Sequence, residues 1–245
     1  MNFIITMVGI LISSSIAIAS NHSPFVYDEM REEIKEMAQD GHNPYHSYKQ
    51  ARKYIMQQVH LRQDSNGYFV KDVYCKIKYR KKVAPDRMPD HRYLNIEHTW
   101  PKSRFGVKRG SSKYRVQVSD LHHLYPTDSR TNSRRGSYLF AQFKKDENVI
   151  SECPFSKKGY VRAFGEDGFE PPTEHKGNVA RSLFYFAVRY DLRISEHEEF
   201  ILRQWNLMDP VDQEELARND KIESIQGNRN PFVDDPDLSN LISDF

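Results

Sequence analysis

The chain has little cysteine, almost no net charge and, past its first twenty residues, no long apolar run. Each absence excludes something. Its two cysteines, Cys75 and Cys153, are too few and too far apart for a Cys-based zinc motif. They could pair, although nothing in their spacing demands it. Without an apolar run, no later segment can cross a membrane as a helix. No H-E-x-x-H is present, and an H-x-x-E-H motif would need histidine where Leu94 stands. No internal repeat or low-complexity block is visible.

What is there begins with "MNFIITMVGILISSSIAIAS", mostly apolar and free of charged side chains. Ala17 and Ala19 flank Ile18 in the small-x-small form of a secretory cleavage site. The apolar run is short for a stable span, and Ser13, Ser14 and Ser15 break it. We therefore read 1–19 as a signal peptide and 20–245 as a single domain. Hydrophobic residues make up 38% of the chain and aromatics 12%, enough for a sizeable core. The formal net charge of +2 hides a strong asymmetry. Residues 76–115 hold 13 Lys/Arg against 3 Asp/Glu, whereas 191–245 hold 5 against 14. A basic middle points to a polyanion partner, or to no more than a solvated face.

Apolar spacing predicts helices over 25–41 and 47–60. "GYFVKDVYCKIKY" alternates and reads as a strand or hairpin arm. Residues 80–91 read as a loop, and "RYLNIEH" as a short strand stopped by Pro101. "KSRFGVKRGSSKYR" reads as a basic loop, "LHHLYP" as a short strand and "SRTNSRRGSYLFAQFKK" as a helix weakened by Gly136. The stretch 144–177 reads as irregular. Three more helices follow. The first shows one face of Val179, Leu183, Phe186, Ala187 and Tyr190. The second opens at capping-box spacing with Ser195 and Glu198, the third with Asp209–Pro210. The fold class is α+β: helices around a small mixed β region.

The chemistry concentrates at "NIEHTWP". Glu97 and His98 are neighbours on a strand, so they point to opposite faces. The order strand, basic loop, strand, helix is that of a ββα-metal finger. In such a unit a carboxylate (Glu97) and an amide oxygen (Asn132) hold a hard cation that keeps most of its waters. An imidazole (His98) takes a proton from the attacking water. Arginines (Arg104, Arg130, Arg134, Arg135) hold the phosphate. Taken singly, such a histidine is more often structural, and an Asn at a helix start is more often a cap. The ordered set is what points to a site.

Four blocks, "NIEHTWP", "SDLHHLYPTDSRTNSRRGS", "NVARSLFYFAVRY" and "IQGNRNPFVDDPDL", resemble successive blocks of the endonuclease I family of secreted and periplasmic bacterial nucleases. The resemblance runs over about 48–238. It implies a ββα-metal fold and Mg²⁺-dependent, sequence-nonspecific cleavage of DNA and often RNA, leaving 5′-phosphate ends. It implies one Mg²⁺ ion, with Mn²⁺ or Ca²⁺ as the expected substitutes. By position, Glu97 and Asn132 become metal ligands and His98 the general base. Arg135 matches the arginine that closes the family's Asn-Gly-Asp-Arg segment, written here Asn132-Ser133-Arg134-Arg135. The family's Asp-Leu-His-Asn-Leu becomes Asp120-Leu121-His122-His123-Leu124. A phosphate-holding arginine between Trp100 and Ser119 has three candidates, Arg104, Arg109 and Arg115. Arg104, nearest His98, is the expected transition-state clamp. Lys108, Arg109, Arg115, Arg130 and Arg134 are expected to touch substrate phosphates.

Two other readings compete. A zinc hydrolase could draw on His91, His98, His122 and His123, but lacks a helical motif. A secreted, non-catalytic nucleic-acid-binding protein explains the basic middle equally well. It does not explain an acid, Glu97, inside that basic stretch. A bound cation does.

Overall fold

The computed structural model describes residues 24–43 and 47–245, with side chains from Glu29 onward. The expected signal peptide, 1–19, lies outside the described residues. Helix α1 (Pro24–Gln39) is followed by α2 (Tyr48–Tyr54), which runs on as a π-helical turn, Ile55–Val59. A capping box starts α2: Ser47 accepts from the Gln50 amide, and Gln50 reaches back to the Ser47 amide. Strands β1 (Leu61–Asp64), β2 (Gly67–Lys71) and β3 (Lys78–Tyr79) form an antiparallel sheet.

Strand β4 (Leu94–His98) pairs antiparallel with β5 (Leu124–Asp128), and helix α4 (Ser129–Arg135) follows directly. Asp128 caps α4 by accepting from the Thr131 amide. Gly136 ends that helix, at φ +59 and ψ −126, a conformation open to glycine almost alone. Gly136 therefore stops the helix rather than weakening its first turns. The basic segment expected as a loop contains helix α3 (Ser112–Ser119), capped by Ser111. Its buried end, Val118, packs in the main core. The only apolar side chains of "SKYRVQVS" are a tyrosine and two valines, too few to signal a helix in isolation.

Residues 144–177 are not irregular. Strands β6 (Leu139–Phe140), β7 (Val149–Ile150), β8 (Cys153–Val161) and β9 (Glu166–Glu170) form a sheet in the order β6-β9-β8-β7. Strand β8 is buried at only Cys153 and Ser156, and its two lysines are half-buried, so no apolar alternation marks it in the sequence. The disulfide Cys75–Cys153 ties this sheet to the turn between β2 and β3.

Helix α5 (Lys176–Tyr190) is the central element, buried on nearly every side rather than on one face. It packs on α1 and on α6 (Glu196–Met208). Helices α7 (Gln213–Gln226) and α8 (Pro231–Asp234) complete the shell. Two polar side chains went elsewhere than expected. Glu198 accepts from the Phe140 amide and from Arg104 instead of closing a capping box. Asp209 accepts from the Gly177 amide, and Asp212 caps α7 in its place. Helices dominate and the sheets are small and separate, so the class is α+β. Among the described residues, no helix is long and apolar enough to cross a membrane.

The disulfide closes a loop 78 residues long, so its loss releases substantial chain entropy in the unfolded state. Cys75→Ser/Cys153→Ser should lower stability by roughly 2–4 kcal/mol in urea titrations. An unchanged midpoint would show that the linked segments stay together without it.

Candidate active site

Strand alternation divides β4 into two faces. Leu94 and Ile96 enter an apolar cluster with Ile55, Val70, Leu121 and Leu124. Asn95 and Glu97 face α4. Two residues of strand span about 6.6 Å and one helical turn about 5.4 Å. That match lets Asn95 and Glu97 meet Asn132 and Arg135, which lie three apart on one side of α4.

Both contacts form. Asn132 Nδ2 donates to Asn95 Oδ1 at 2.7 Å and to the Ile96 carbonyl at 3.1 Å. With both amide hydrogens committed to β4, the Asn132 carbonyl oxygen is the end left for another ligand. Arg135 Nε lies 3.1 Å from Glu97 Oε1, and the Tyr74 hydroxyl donates to the same oxygen at 3.0 Å. Arg135 also donates to the Thr99 carbonyl at 2.8 Å and lies over the Phe140 ring. Glu97 is 2% exposed and Arg135 1%. Burial raises the Glu97 pKa, and the Arg135 charge and the Tyr74 hydrogen bond oppose the rise. Glu97 Oε2 has no hydrogen-bond partner among the described residues.

His98 points the other way. Its Nε2 lies 3.2 Å from the Val118 carbonyl, and its ring packs 5.2 Å from Tyr48 and 5.3 Å from His123. A carbonyl only accepts, so Nε2 carries the hydrogen and Nδ1 is the basic nitrogen. Burial, reinforced by His123 and Lys102, holds the imidazole well below its usual pKa, hence neutral.

Glu97, His98 and Asn132 nevertheless line one cleft of about 570 Å³, together with Tyr48, Arg52 and Lys102. A narrower hollow of about 140 Å³, around His60, His175 and Arg218, contains none of the expected site residues. Glu97 Oε2 and Asn132 Oδ1 make a sparse, all-oxygen donor pair, which suits a hard cation that keeps its waters. Among the described residues, no group of three or more His, Cys, Asp or Glu side chains could hold a metal ion. The imidazoles of a zinc site therefore do not assemble there.

The expected cations scatter. Arg104 turns from the cleft to Glu198, 3.3 Å away and 2% exposed, and lies over Trp100. A buried, unpaired carboxylate is costly, so Glu198 holds that charge. Arg135 grips Glu97 and Thr99 from inside. Arg134 pairs with Glu152 at 2.6 Å on the surface. Arg130 is exposed near Tyr79 and Asp128. Lys108, Arg109 and Arg115 are exposed on the connection between β4 and β5 and do not line the cleft. The cations that do are Lys102 and Arg52. Lys102 had a signal: it follows the strand-ending Pro101, four residues after His98. Arg52 had none, because only packing brings α2 to β4. It lies one turn from Tyr48, whose ring rests on His98.

Three kinds of relative were found. The endonuclease I family model matches residues 27–237. An extracellular ribonuclease of Bacillus amyloliquefaciens is 38% identical over 168 residues, 60% of this chain and 53% of that protein. A periplasmic deoxyribonuclease of Aeromonas hydrophila is 28% identical over 65% of this chain and 76% of its own. An endonuclease-1 of Buchnera aphidicola is 30% identical over 57% of this chain and 59% of its own. The chain thus spans about half the length of the Bacillus protein it matches.

Removing one partner of a buried ion pair leaves the other charge uncompensated, which costs about 3–5 kcal/mol. Arg135→Met should destabilise the protein by about that much in equilibrium urea unfolding at neutral pH. A loss under about 1 kcal/mol would mean that solvent reaches and screens Glu97.

Proposed function

The chain belongs to the endonuclease I family, and from that premise we propose that it is a secreted or periplasmic, Mg²⁺-dependent, sequence-nonspecific endonuclease. Its substrates are DNA and RNA phosphodiesters, cut to leave 5′-phosphate ends. The observation that carries this reading is the meeting of Glu97, His98 and Asn132 in one cleft from three different directions. Relatives named for extracellular and periplasmic nucleases, of both RNA and DNA, support it.

Glu97 and Asn132 would hold the cation. When bound, that cation supplies positive charge against the phosphate oxygens and the leaving oxygen. The protein does the rest. His98 Nδ1 accepts a proton from the attacking water, with Nε2 anchored on Val118 so that the basic edge faces the cleft. The water oxygen bonds to phosphorus, the bond from phosphorus to the 3′ oxygen breaks, and that oxygen leaves as a hydroxyl after taking a proton. The phosphate stays on the 5′ side. Lys102 and Arg52 are the cations placed to neutralise the phosphate. Arg104, committed to Glu198, acts on Trp100 and α6 instead. Phosphates carry no base identity, which fits cleavage without sequence preference.

A plasmid and an RNA transcript should both be degraded with Mg²⁺ and survive with EDTA. Survival of both substrates across a panel of divalent metals would leave a non-catalytic binding protein. His98→Ala should lose about two to four decades in rate while keeping DNA affinity. Glu97→Ala should weaken metal dependence more than Asn132→Ala, because a carboxylate binds a hard cation more strongly than a neutral amide. Full activity of a folded His98→Ala protein would remove the imidazole from the mechanism.

Lys102→Ala should lower kcat as well as affinity, whereas Arg104→Ala should act mainly on stability. The reverse pattern, read from saturation kinetics beside melting curves, would return the clamp to Arg104.

A further inference from the structure

The turn that enters β4 presents an exposed ring. Tyr93 precedes Asn95 by two residues, and its carbonyl accepts from the Ser129 amide, extending the β4–β5 ladder by one step. Tyr93 closes the turn that leads into β4, its amide donating to the Asp90 carbonyl at 3.0 Å. Tyr93 is 58% exposed, with the Arg92 guanidinium 6.0 Å from its ring centre.

Two hollows of about 290 and 280 Å³ flank it, and both share Tyr79, Arg92 and Tyr93. Cations ring them: Lys81 and Lys82 on one side, Arg130 on the other. The acids present are largely engaged. Asp90 pairs with Arg92, Asp128 accepts from Tyr79 and the Thr131 amide, and Glu152 pairs with Arg134. His91, two residues before Tyr93, lines the catalytic cleft itself. The chain therefore passes from the cleft to these hollows within two residues.

We propose that Tyr93 is a base-stacking platform for single-stranded nucleic acid leaving the cleft, with Lys81, Lys82 and Arg130 tracking its phosphates. The proposal rests on the nuclease reading above and names the form of substrate this extension serves. Every base has a π-face, so an exposed ring between cations holds a single strand without reading its sequence. In a duplex the bases are already stacked on one another and cannot use the ring.

The test measures kcat/KM on a single-stranded oligonucleotide and on the same sequence as a closed duplex hairpin. It compares the unmodified protein with Tyr93→Ala, Tyr93→Leu and Tyr93→Phe. Losing one stack should cut the single-strand value roughly tenfold to a hundredfold in the Ala and Leu variants. Phe should keep it, because the ring and not the hydroxyl stacks. Duplex cleavage should hold in all three. Equal losses on both substrates, or none, would overturn the platform while leaving the nuclease intact. An unmodified protein that cuts neither substrate would overturn the nuclease reading, and the platform with it. Melting curves accompany each variant; with so exposed a ring, they should coincide.

Discussion

The site depends on one buried charge, Glu97, and on the groups that make its burial tolerable. A carboxylate 2% exposed would protonate or unfold its surroundings if left alone. Arg135 and Tyr74 converge on one of its oxygens, Oε1. They come from different parts of the chain, so Glu97 draws α4 and the β2–β3 turn onto β4. The disulfide reinforces the same junction: Cys75 follows Tyr74, and its sulfur lies 3.1 Å from the Thr131 hydroxyl, the residue before Asn132. The forces that neutralise Glu97 also set the position of Asn132.

A second polar centre holds the other side of the hairpin. Asp120 accepts from the Tyr185 and Tyr190 hydroxyls of α5, from Gln226 of α7 and from the His122 amide. Burial alone would raise its pKa, but Arg189 and the neighbouring histidines bring it well below the usual carboxylate range. It is thus an ionised anchor between the central helix and the start of β5. His123, fully buried, lies between Phe186 of α5 and the His98 ring, which it meets edge-on. The imidazole on the cleft is therefore backed by α5, the most deeply buried helix among the described residues, which leaves it few rotamers.

Charge is sorted by desolvation. Arginines that meet buried carboxylates are spent on them, as Arg104 is on Glu198, Arg135 on Glu97 and Arg181 on Glu215. Lys81, Lys82 and Arg130 are exposed and meet no carboxylate in an ion pair among the described residues, so their charge remains for a polyanion. The basic middle seen in composition is thus two populations, one structural and one facing outward, and net charge cannot separate them.

The sequence by itself determined the local chemistry. The opposed directions of Glu97 and His98 follow from strand period, and Asn132 follows from helix order; all three meet where expected because these are short-range regularities. The α+β class and most helices were legible for the same reason, but the cap of α4 is Asp128 and not an asparagine. The cysteine pair, β7, β8 and β9, helix α3 and the all-round burial of α5 were not. The disulfide, α3 and the burial of α5 are decided by contacts distant in sequence; β7, β8 and β9 pair with near neighbours, but the lysines of β8 and the acids of β9 leave no apolar period. The cations show the division most sharply. Sequence proximity to His98 favoured Arg104, yet burial of Glu198, 94 residues away, claims it, and α2 packing delivers Arg52 to the cleft instead. Which residues can do the chemistry is written locally; which of them face the cleft is settled only when every buried charge has found its partner.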